Sequence, residues 1–438
     1  MGAAAAETSR TFAKESLLVV LAYLGASYWV RRQGFVHVSD DDFARTVIAQ
    51  GFAHAPRLDP SGTSWLPVPF YLTGTAMMAF GRSFAVARTV SLVLTTGSLG
   101  LFYFYARRFF SGIAPRWGLW IGFVWLATFP WMVFLGNAAV PEAYASIWMA
   151  IAIASLAWRT PSLVPALLLL LATLCRYEAW TAALAFAIAR PLCSPGSNRP
   201  RAALYGVLPL AGPAAWMAWN RFSHGEYTHF FSRVSKYRAA FETPPLTTRI
   251  LQYPLALFEA APEYVLLGAG LVFSFLWLPR DTKLRLLGVV FCVTTMGVVL
   301  IAGNVKDGAP THHAVRAMVP IVAASVPLAI ATAVGVAHRL TGPSLARKTW
   351  VVGAMAGSLL VYAAFLPSRG RAFPKDERTS LVAEGARLRG VPQLRVEPCA
   401  YEHFALIAGY EAPERVEILP KKKTETAPCP AVTEQKAP

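Results

Sequence analysis

Long apolar stretches recur along the chain and determine its predicted architecture. The stretch LVPALLLLLATL at 163–174 shows no alternation of apolar and polar positions, so it does not fit a strand of a membrane β-barrel. A helix needs about 20 apolar residues to cross a hydrocarbon core roughly 30 Å thick. We therefore predict an all-α polytopic membrane protein, a bundle of about eleven transmembrane helices. The predicted spans lie near 15–32, 84–106, 117–135, 141–158, 162–176, 179–190, 202–219, 256–278, 285–302, 318–337 and 350–366.

The composition predicts that the protein lies in a membrane, and the charges of its loops predict its orientation there. The 438 residues are 55% hydrophobic and only 15% charged, and their mean hydropathy of +0.43 is too high for a soluble protein of this length. The first span is followed by no small-residue cleavage site, so we expect it to remain as an anchor. Short basic turns near 107–116, 190–201, 280–285 and 338–348 favour a cytoplasmic N-terminus. The acidic loop after the first span then faces away from the cytoplasm.

The formal net charge of +17 has two interpretations. Basic residues bind nucleic acid, or they anchor helices and contact anionic lipid at membrane interfaces. The basic residues here are scattered over loops and are not gathered with aromatic residues in one soluble domain. We therefore predict contact with membrane lipids and no nucleic-acid partner.

The sequence changes character after residue 366. Residues 1–366 form the predicted transmembrane domain, whose first extracytoplasmic loop covers 33–83. Residues 367–420 mix a helical pattern with short strand-like runs such as LRVEP and RVEIL, which predicts a small α+β extracytoplasmic domain. Residues 421–438 are charged, rich in Pro and Thr and poor in large apolar groups, so we predict a disordered tail.

The five cysteines include no CxxC pair and no companion histidines at zinc spacing, so a structural zinc site is not expected. Cys399 and Cys429 both fall in the predicted extracytoplasmic tail. A disulfide between them is a hypothesis that follows from the oxidising character of that compartment.

Three adjacent aspartates follow the first span, in HVSDDDFARTV at 37–47. One interpretation is structural, either a solvated turn or a helix N-cap formed by Ser39 or Asp40, because the positive end of a helix dipole attracts acidic residues. That interpretation leaves the surrounding sequence unexplained. The run is followed by GTSWLPVPFYLTGTAMMAFG at 62–81 and RSFAVARTVSLVLTTGSLGLFYFYARRFF at 82–110.

This series of segments resembles the membrane glycosyltransferases of the GT-C superfamily, in particular the protein O-mannosyltransferase and lipid A aminoarabinose transferase type. The likeness begins with the acidic pair, the Trp/Pro segment, FGRSFAVARTVSLV and the basic turn YARRFF. It continues in LGNAAVPEAYASIWMAIAIASLAWR at 135–159, LCRYEAWTAALAF at 174–186 and THHAVRAMVPIVAASVPLA at 311–329. No single motif is as specific as a P-loop, so the order of the motifs carries the resemblance, which covers roughly residues 15 to 366.

The resemblance implies a GT-C-like fold and a transferase that takes a sugar from a polyprenyl-phosphate donor. It places the reaction on the outer face of a bacterial inner membrane, where no nucleotide sugars are present, and leaves the acceptor open as a glycan, a lipid or a protein. Such a reaction needs a base to take the proton from the acceptor hydroxyl. Asp41 or Asp40 matches the leading acid of the family's acidic pair. We predict Asp41 as the catalytic base, Asp40 as the next candidate and Asp42 as their partner, since repulsion between close-set carboxylates makes one of them a stronger base.

The reaction also needs a cation to stabilise the charge that develops on the departing lipid phosphate. In HHAVR, His312 and Arg316 are four residues apart and share one face of a helix, and a planar guanidinium matches phosphate oxygens. The alternative for Arg316 is an interfacial arginine that snorkels at the start of a span. His312 and His313 are predicted substrate contacts, and their alternatives are metal ligands or interface residues. We predict no cofactor and no metal, although the sequence leaves a divalent ion open.

Four further charged residues are predicted to bind substrate. Arg176 and Glu178 lie between two apolar runs, where isolated charges are costly and usually face protein or water, and the alternative is a mutual pair that stabilises a turn. Glu142 follows NAAVP at a predicted helix start, where contact with the helix dipole is the alternative. Arg88 matches the family's arginine in AAR, which favours a place near lipid phosphate, with snorkelling as the alternative.

The stretch at 220–249 combines aromatic and basic residues. It predicts an amphipathic helix lying on the bilayer, with a lid over the sugar as the alternative.

Two other classes of function compete with the transferase. A flippase or transporter would show an internal repeat and charged or broken helices near the bilayer midplane, whereas no repeat is visible and the acidic run lies in a loop. A non-catalytic assembly protein for an envelope polysaccharide would leave Asp40 and Asp41 replaceable. Within the transferase class, one base and one stabiliser of the leaving group suffice for a single displacement, which predicts inversion at the anomeric carbon.

Overall fold

The structure is a computed structural model that describes residues 2–110, 116–158, 160–238, 244–261, 278, 280–306, 314–341, 376–397, 402–419 and 432–434. Helices dominate these residues, which confirms the predicted all-α class. The helices are α1 (Gly2–Arg32), α2 (Asp41–His54), α3 (Val68–Phe80), α4 (Phe84–Phe109), α5 (Arg116–Thr128), α6 (Pro130–Asn137), α7 (Glu142–Ala154), α8 (Leu163–Thr173), α9 (Glu178–Leu192), α10 (Arg199–Val207), α11 (Ala211–His224), α12 (His229–Arg238), α13 (Leu246–Ala260), α14 (Arg280–Val305), α15 (Ala314–Thr341), α16 (Glu377–Arg387) and α17 (His403–Tyr410). The strands are β1 (Leu394–Val396), β2 (Val416–Ile418) and β3 (Val432–Glu434).

The described residues do not support about eleven spans. Three of their helices are long and apolar enough to cross a membrane, namely Phe84–Phe109, Thr282–Val305 and Ala314–Thr332. A fourth candidate is the pair Arg116–Thr128 and Pro130–Asn137, which is bent by 53°. The predicted span at 350–366 and most of that at 256–278 lie outside the described residues.

Breaks in the sequence explain why several predicted spans fold as short helices. Helix α8 has 11 residues, so it rises about 16 Å, roughly half the thickness of a hydrocarbon core. The predicted span at 202–219 is divided between α10 and α11 by a 3-10 turn at Leu208–Leu210, which contains Pro209. Proline removes a helical hydrogen bond and clashes with the preceding turn. Apolar content alone therefore overestimated the number of continuous spans.

The chain divides into two compact units. Unit 1 comprises Met1–Ala26, Thr95–Met132 and Glu142–Leu366. Unit 2 comprises Ser27–Leu94, Val133–Pro141 and Pro367–Pro438, so it combines the first loop with the end of the chain.

In unit 1, apolar helices pack closely around α7, every residue of which is buried. Helix α7 packs against α8 and α15, and α15 also packs against α5. At the α5–α15 crossing a Cβ on Gly122 would lie 3.0 Å from the Cα of Pro327, so the absence of a side chain allows the two backbones to approach. Small residues at helix crossings are typical of membrane bundles. This packing buries Glu142, the first residue of α7.

In unit 2, the first loop folds into two helices that pack against each other, α2 and α3. The turn between them is held by Asp59, whose Oδ1 accepts a hydrogen bond from the backbone N–H of Gly62 at 2.9 Å. Proline in the first turn favours the start of α3. The helix ends at Gly81, whose φ of 91° is readily adopted only by glycine.

Residues 376–418 of unit 2, named the C-terminal subdomain below, contain α16, α17, β1 and β2. The sheet has the order β2-β1-β3, with Leu394 paired in parallel to Val416 and antiparallel to Glu434. Strand β3 lies within the segment that the sequence predicts to be disordered. The buried apolar core of the subdomain comprises Leu388, Leu394, Val396, Leu406, Tyr410 and Ala412.

Candidate functional site

The three aspartates of the acidic run lie at the start of α2, in unit 2. Asp40 occupies the N-cap position, and Asp41 and Asp42 belong to the first helical turn, where the helix dipole favours negative charge. Successive residues of a helix are about 100° apart around its axis, so the three side chains point in different directions. Asp40 and Asp41 are half-buried, whereas Asp42 is buried.

The carboxylate of Asp42 accepts hydrogen bonds from the backbone. Its Oδ2 accepts from the N–H groups of Val38 and Ser39, at 3.2 and 3.1 Å. Its Oδ1 accepts from the N–H of Ala139 at 2.7 Å. With an exposed fraction of 0%, Asp42 holds the loop before α2 and the 137–141 segment together, which is a structural task.

Asp40 makes no side-chain hydrogen bond to the helix that it precedes. Its carboxylate instead accepts two hydrogen bonds from Arg378 of the C-terminal subdomain, one from Nε and one from a terminal nitrogen at 3.1 Å. The same guanidinium donates to Oε1 of Glu402 at 3.3 Å. The predicted side-chain N-cap at Asp40 is therefore replaced by an ion pair.

Arg88 and Arg31 both bind Asn137, and Arg88 also binds the loop before α2. Arg88 donates to the carbonyl oxygens of Asn137, at 3.0 Å, and Phe35, at 2.8 Å. Arg31 Nε donates to Oδ1 of Asn137 at 2.7 Å. These bonds place Arg88 among the contacts that support the loop.

A second cluster of charged side chains lies in unit 1 and is centred on Glu142. Its Oε1 accepts from Arg176 at 2.8 Å and from Nε of Arg316 at 3.0 Å, and a terminal nitrogen of Arg316 also donates to it. The side chains of Glu142 and Arg316 are only 1% and 4% exposed. Two guanidinium groups from distant parts of the chain thus meet at one buried carboxylate oxygen.

Arg176 lies in the turn that joins α8 to α9 and also pairs with Glu178. Its Nε lies 3.1 Å from Oε2 of Glu178, and a terminal nitrogen contacts the other oxygen. The indole N–H of Trp180 donates to the carbonyl of Thr173 at 2.8 Å, which closes the end of α8. Arg176 and Glu178 therefore form the mutual pair at a turn that was one of the two interpretations, and Arg176 also contacts Glu142.

Helix α12 covers the aromatic side of this turn. Phe230 stacks on Tyr177 with ring centroids 4.9 Å apart, and it meets Trp180 edge-on at 5.1 Å. The exposed residues of the surrounding stretch include Phe222 and Tyr227, which suits the predicted amphipathic helix. Residues 239–243 of the stretch lie outside the described part of the chain.

Several predicted features fall on residues that the structure does not describe. His312, His313, Cys399 and Cys429 are among them. Within the described ranges, no three His, Cys, Asp or Glu side chains are grouped as ligands for a metal ion.

Sequence reasoning missed the residues of the C-terminal subdomain that reach the first loop. Besides Arg378, Asp376 pairs with His37, with His37 Nε2 2.8 Å from Asp376 Oδ2. Burial tends to raise the pKa of Asp376, but the backbone N–H of Thr379 and the neighbouring His37 together lower it below its ordinary value of 3.8. These contacts join positions 338 and 339 residues apart, and no periodicity or motif in the sequence indicates them.

No protein-family model, no curated protein and no solved structure matches the chain. The resemblance to the GT-C superfamily therefore depends on the motifs alone.

Proposed function

We propose that the chain is an integral-membrane glycosyltransferase with a GT-C-like bundle, which transfers a sugar from a polyprenyl-phosphate carrier to an acceptor hydroxyl or amine outside the cytoplasm. The convergence on Glu142 is the observation that carries the proposal. Glu142, Arg176 and Arg316 come from three motifs that the sequence resemblance selects separately, and their side chains meet at one carboxylate oxygen. Each of the three motifs therefore contributes one charged side chain to the same cluster.

The chemistry of this cluster suits a phosphate leaving group. Arginine has a planar fork of N–H donors that matches phosphate oxygens, and a water-poor site strengthens its attraction for developing negative charge. Two arginines repel each other when they are close. Glu142 holds Arg176 and Arg316 within reach of one oxygen atom, so we assign it a positioning role and assign phosphate contact to the two arginines.

The base is assigned within unit 2. We assign the proton transfer to Asp41, which with Asp40 matches the leading acid of the family's acidic pair and is half-buried in the first turn of α2. In the proposed reaction the acceptor oxygen attacks the anomeric carbon while Asp41 takes its proton. The carbon–oxygen bond to the phosphate breaks, and the polyprenyl phosphate leaves with the bonding electrons, so the anomeric configuration inverts.

The test uses the purified full chain in nanodiscs with a panel of radiolabelled polyprenyl-phosphate sugars and candidate acceptors. Wild type is compared with Asp41→Asn and Arg316→Met. The matched control is Asp59→Asn, which removes a carboxylate of the same loop outside the acidic run. We expect transfer by wild type and Asp59→Asn, and losses of about 10²-fold or more in the other two variants.

Equal transfer by Asp41→Asn and wild type would reject the assigned base. Transfer from a nucleotide sugar alone would reject the donor class. A trapped glycosyl-enzyme intermediate would reject the single displacement, since inversion in one step forms no such species.

A lipid flippase or transporter is the second candidate, because buried charged residues in apolar helices often mark a transport path. The buried Glu142–Arg316 pair is the observation that favours it. The same nanodisc assay separates the two functions. A flippase leaves its substrate chemically unchanged, whereas the transferase releases polyprenyl phosphate.

A further inference from the structure

The C-terminal subdomain is attached to the first loop by contacts that do not involve the acidic run. Phe43 and Phe84 pack with Ala405 and Ala408 in one buried apolar cluster. The side-chain amide of Gln50 donates to the carbonyl of Ala408 at 2.9 Å. These contacts bury apolar surface and satisfy a backbone acceptor, so they account for docking of the subdomain on α2.

A second ion pair strengthens the same attachment at a distance from the aspartates. Arg82 donates from one terminal nitrogen to both carboxylate oxygens of Glu414, at 2.9 Å each. Its side chain and that of Glu414 are 28% and 23% exposed. The Arg82–Glu414 pair is similar in exposure to the Arg378–Asp40 pair, in which both side chains are 29% exposed. It therefore serves as a control for that pair.

The Arg378–Asp40 pair differs from the Arg82–Glu414 pair in the position of its carboxylate, which lies at the start of α2. A capping aspartate ordinarily has an extended backbone, whereas the backbone of Asp40 is helical, with φ -63° and ψ -22°, and its side chain makes no cap bond. Arg378 binds both oxygens of Asp40. The guanidinium therefore holds the residue that directly precedes Asp41, the first residue of α2.

Arg378 is itself held in place by the elements around it. Asp376 precedes α16 and accepts hydrogen bonds from the N–H and hydroxyl of Thr379, both at 3.0 Å, which fixes the first turn that carries Arg378. Glu402 supplies a second carboxylate at 3.3 Å. The hydrogen bond that Arg378 donates to Asp40 raises the pKa of Arg378 above its ordinary value; burial opposes this shift, and the charges of Asp40, Glu402 and Asp376 assist it.

We infer that Arg378 is a positioning residue for the acidic run: it binds both oxygens of Asp40 and thereby holds the first turn of α2, on which Asp41 lies, against the C-terminal subdomain. The inference rests on the proposed function insofar as it concerns transfer. The charged group that binds Asp40 is Arg378, and the charges of Glu402 and Asp376 act on that arginine. Asp41 and Asp42 follow Asp40 in the chain, and His37 pairs with Asp376. Removal of Arg378 takes away the cation that binds Asp40 directly.

The test compares Arg378→Met, Arg378→Lys and the matched control Arg82→Met in the full chain. In Arg378→Met we expect kcat to fall by about 10- to 100-fold, as displacement of a reacting group does, with a change in donor KM of about twofold or less. Arg378→Lys should restore part of kcat, and Arg82→Met should match wild type in both kcat and KM.

A second readout does not depend on activity. Carbodiimide-driven amidation followed by mass spectrometry reports which carboxylates are accessible, and Asp40 should label faster in Arg378→Met than in wild type or Arg82→Met. Unchanged labelling of Asp40 would overturn the inference, even if wild type transferred no sugar and the proposed function had failed. Equal loss of kcat in the Met and Lys variants, or in Arg378→Met and Arg82→Met, would also overturn it, since the loss would then reflect packing or docking. If Arg378→Met does not fold, Arg378→Lys decides the question, because a lysine cannot bind both oxygens of Asp40 as the guanidinium does. Faster labelling of Asp40 with a partial loss of kcat supports the inference, and labelling equal to wild type contradicts it.

Discussion

Arg316 Nε lies 3.0 Å from Oε1 of Glu142, although 174 positions separate the two residues in the chain. Both side chains are almost completely withdrawn from solvent. A buried pair of this kind adds little net stability compared with an apolar pair of the same volume, but it is costly to break.

The cost of breaking this pair gives the first prediction. Glu142→Gln removes the charge that faces Arg316 and Arg176, and we expect a loss of about 3 kcal/mol in the free energy of unfolding. Thermal unfolding in detergent measures it. The matched control is Glu178→Gln, after which Arg176 still has Glu142, so the loss should be about 1 kcal/mol or less. Equal losses in the two variants would contradict the central place of Glu142.

The substitutions Asp41→Asn and Asp42→Asn should differ in their effects on stability and on transfer. Asp42→Asn places an amide against the N–H groups of Val38, Ser39 and Ala139, and an unsatisfied buried group costs about 1–3 kcal/mol. Asp41→Asn should cost less stability than Asp42→Asn, because the Asp41 side chain is only half-buried, and should lower transfer by about 10²-fold or more. Melting curves and the nanodisc assay are run on both variants. A stable Asp42→Asn would show that its hydrogen bonds do not hold the loop.

Close contact between α16 and α17 supplies the third prediction. A Cβ on Gly385 would lie 2.8 Å from the backbone N of Tyr410, and one on Gly409 would lie 2.9 Å from the carbonyl carbon of Val382. Because backbone atoms cannot move aside as a flexible side chain can, each Gly→Ala change should destabilise the subdomain by about 1–3 kcal/mol.

Gly390 is the control for these substitutions, since a Cβ there would meet nothing within 4 Å. Limited proteolysis of the full chain should cut the C-terminal subdomain faster in Gly385→Ala and Gly409→Ala than in Gly390→Ala. The same rate in all three would mean that the two helices are not in close contact.

Part of this architecture follows from the sequence by simple physics. The apolar runs of α4, α14 and α15 are long enough to predict a span, since helix rise and bilayer thickness fix the required length. Runs interrupted by proline, such as the one containing Pro209, look equally apolar in composition. Their division into short helices depends on local backbone geometry, so the predicted number of spans was too high.

The candidate sites were predictable to different degrees. Arg176 and Arg316 could be selected because isolated charges in apolar sequence are costly and need a partner, but their common partner Glu142 is a matter of helix packing. The three aspartates are identical in chemistry, and only the direction of each side chain on α2 separates Asp42 from Asp41. Arg378 could not be found at all, because its contact with Asp40 arises from the docking of a subdomain 338 positions away.

The last prediction concerns acid and the His37–Asp376 pair. The pKa of Asp376 is lowered from 3.8, so the folded protein binds a proton at this site less readily than the unfolded chain does. Its contribution to stability is then fully present above the unfolded value and is lost as the pH falls through the lower, folded value. We expect Asp376→Asn to melt below wild type at pH 7, with a difference that shrinks once the pH drops below about 4. The matched control is Glu417→Gln in the exposed pair with Arg395, which should change the melting temperature little at either pH. A deficit in Asp376→Asn that is as large at pH 3 as at pH 7 would mean that the side chain acts through packing and not through its charge.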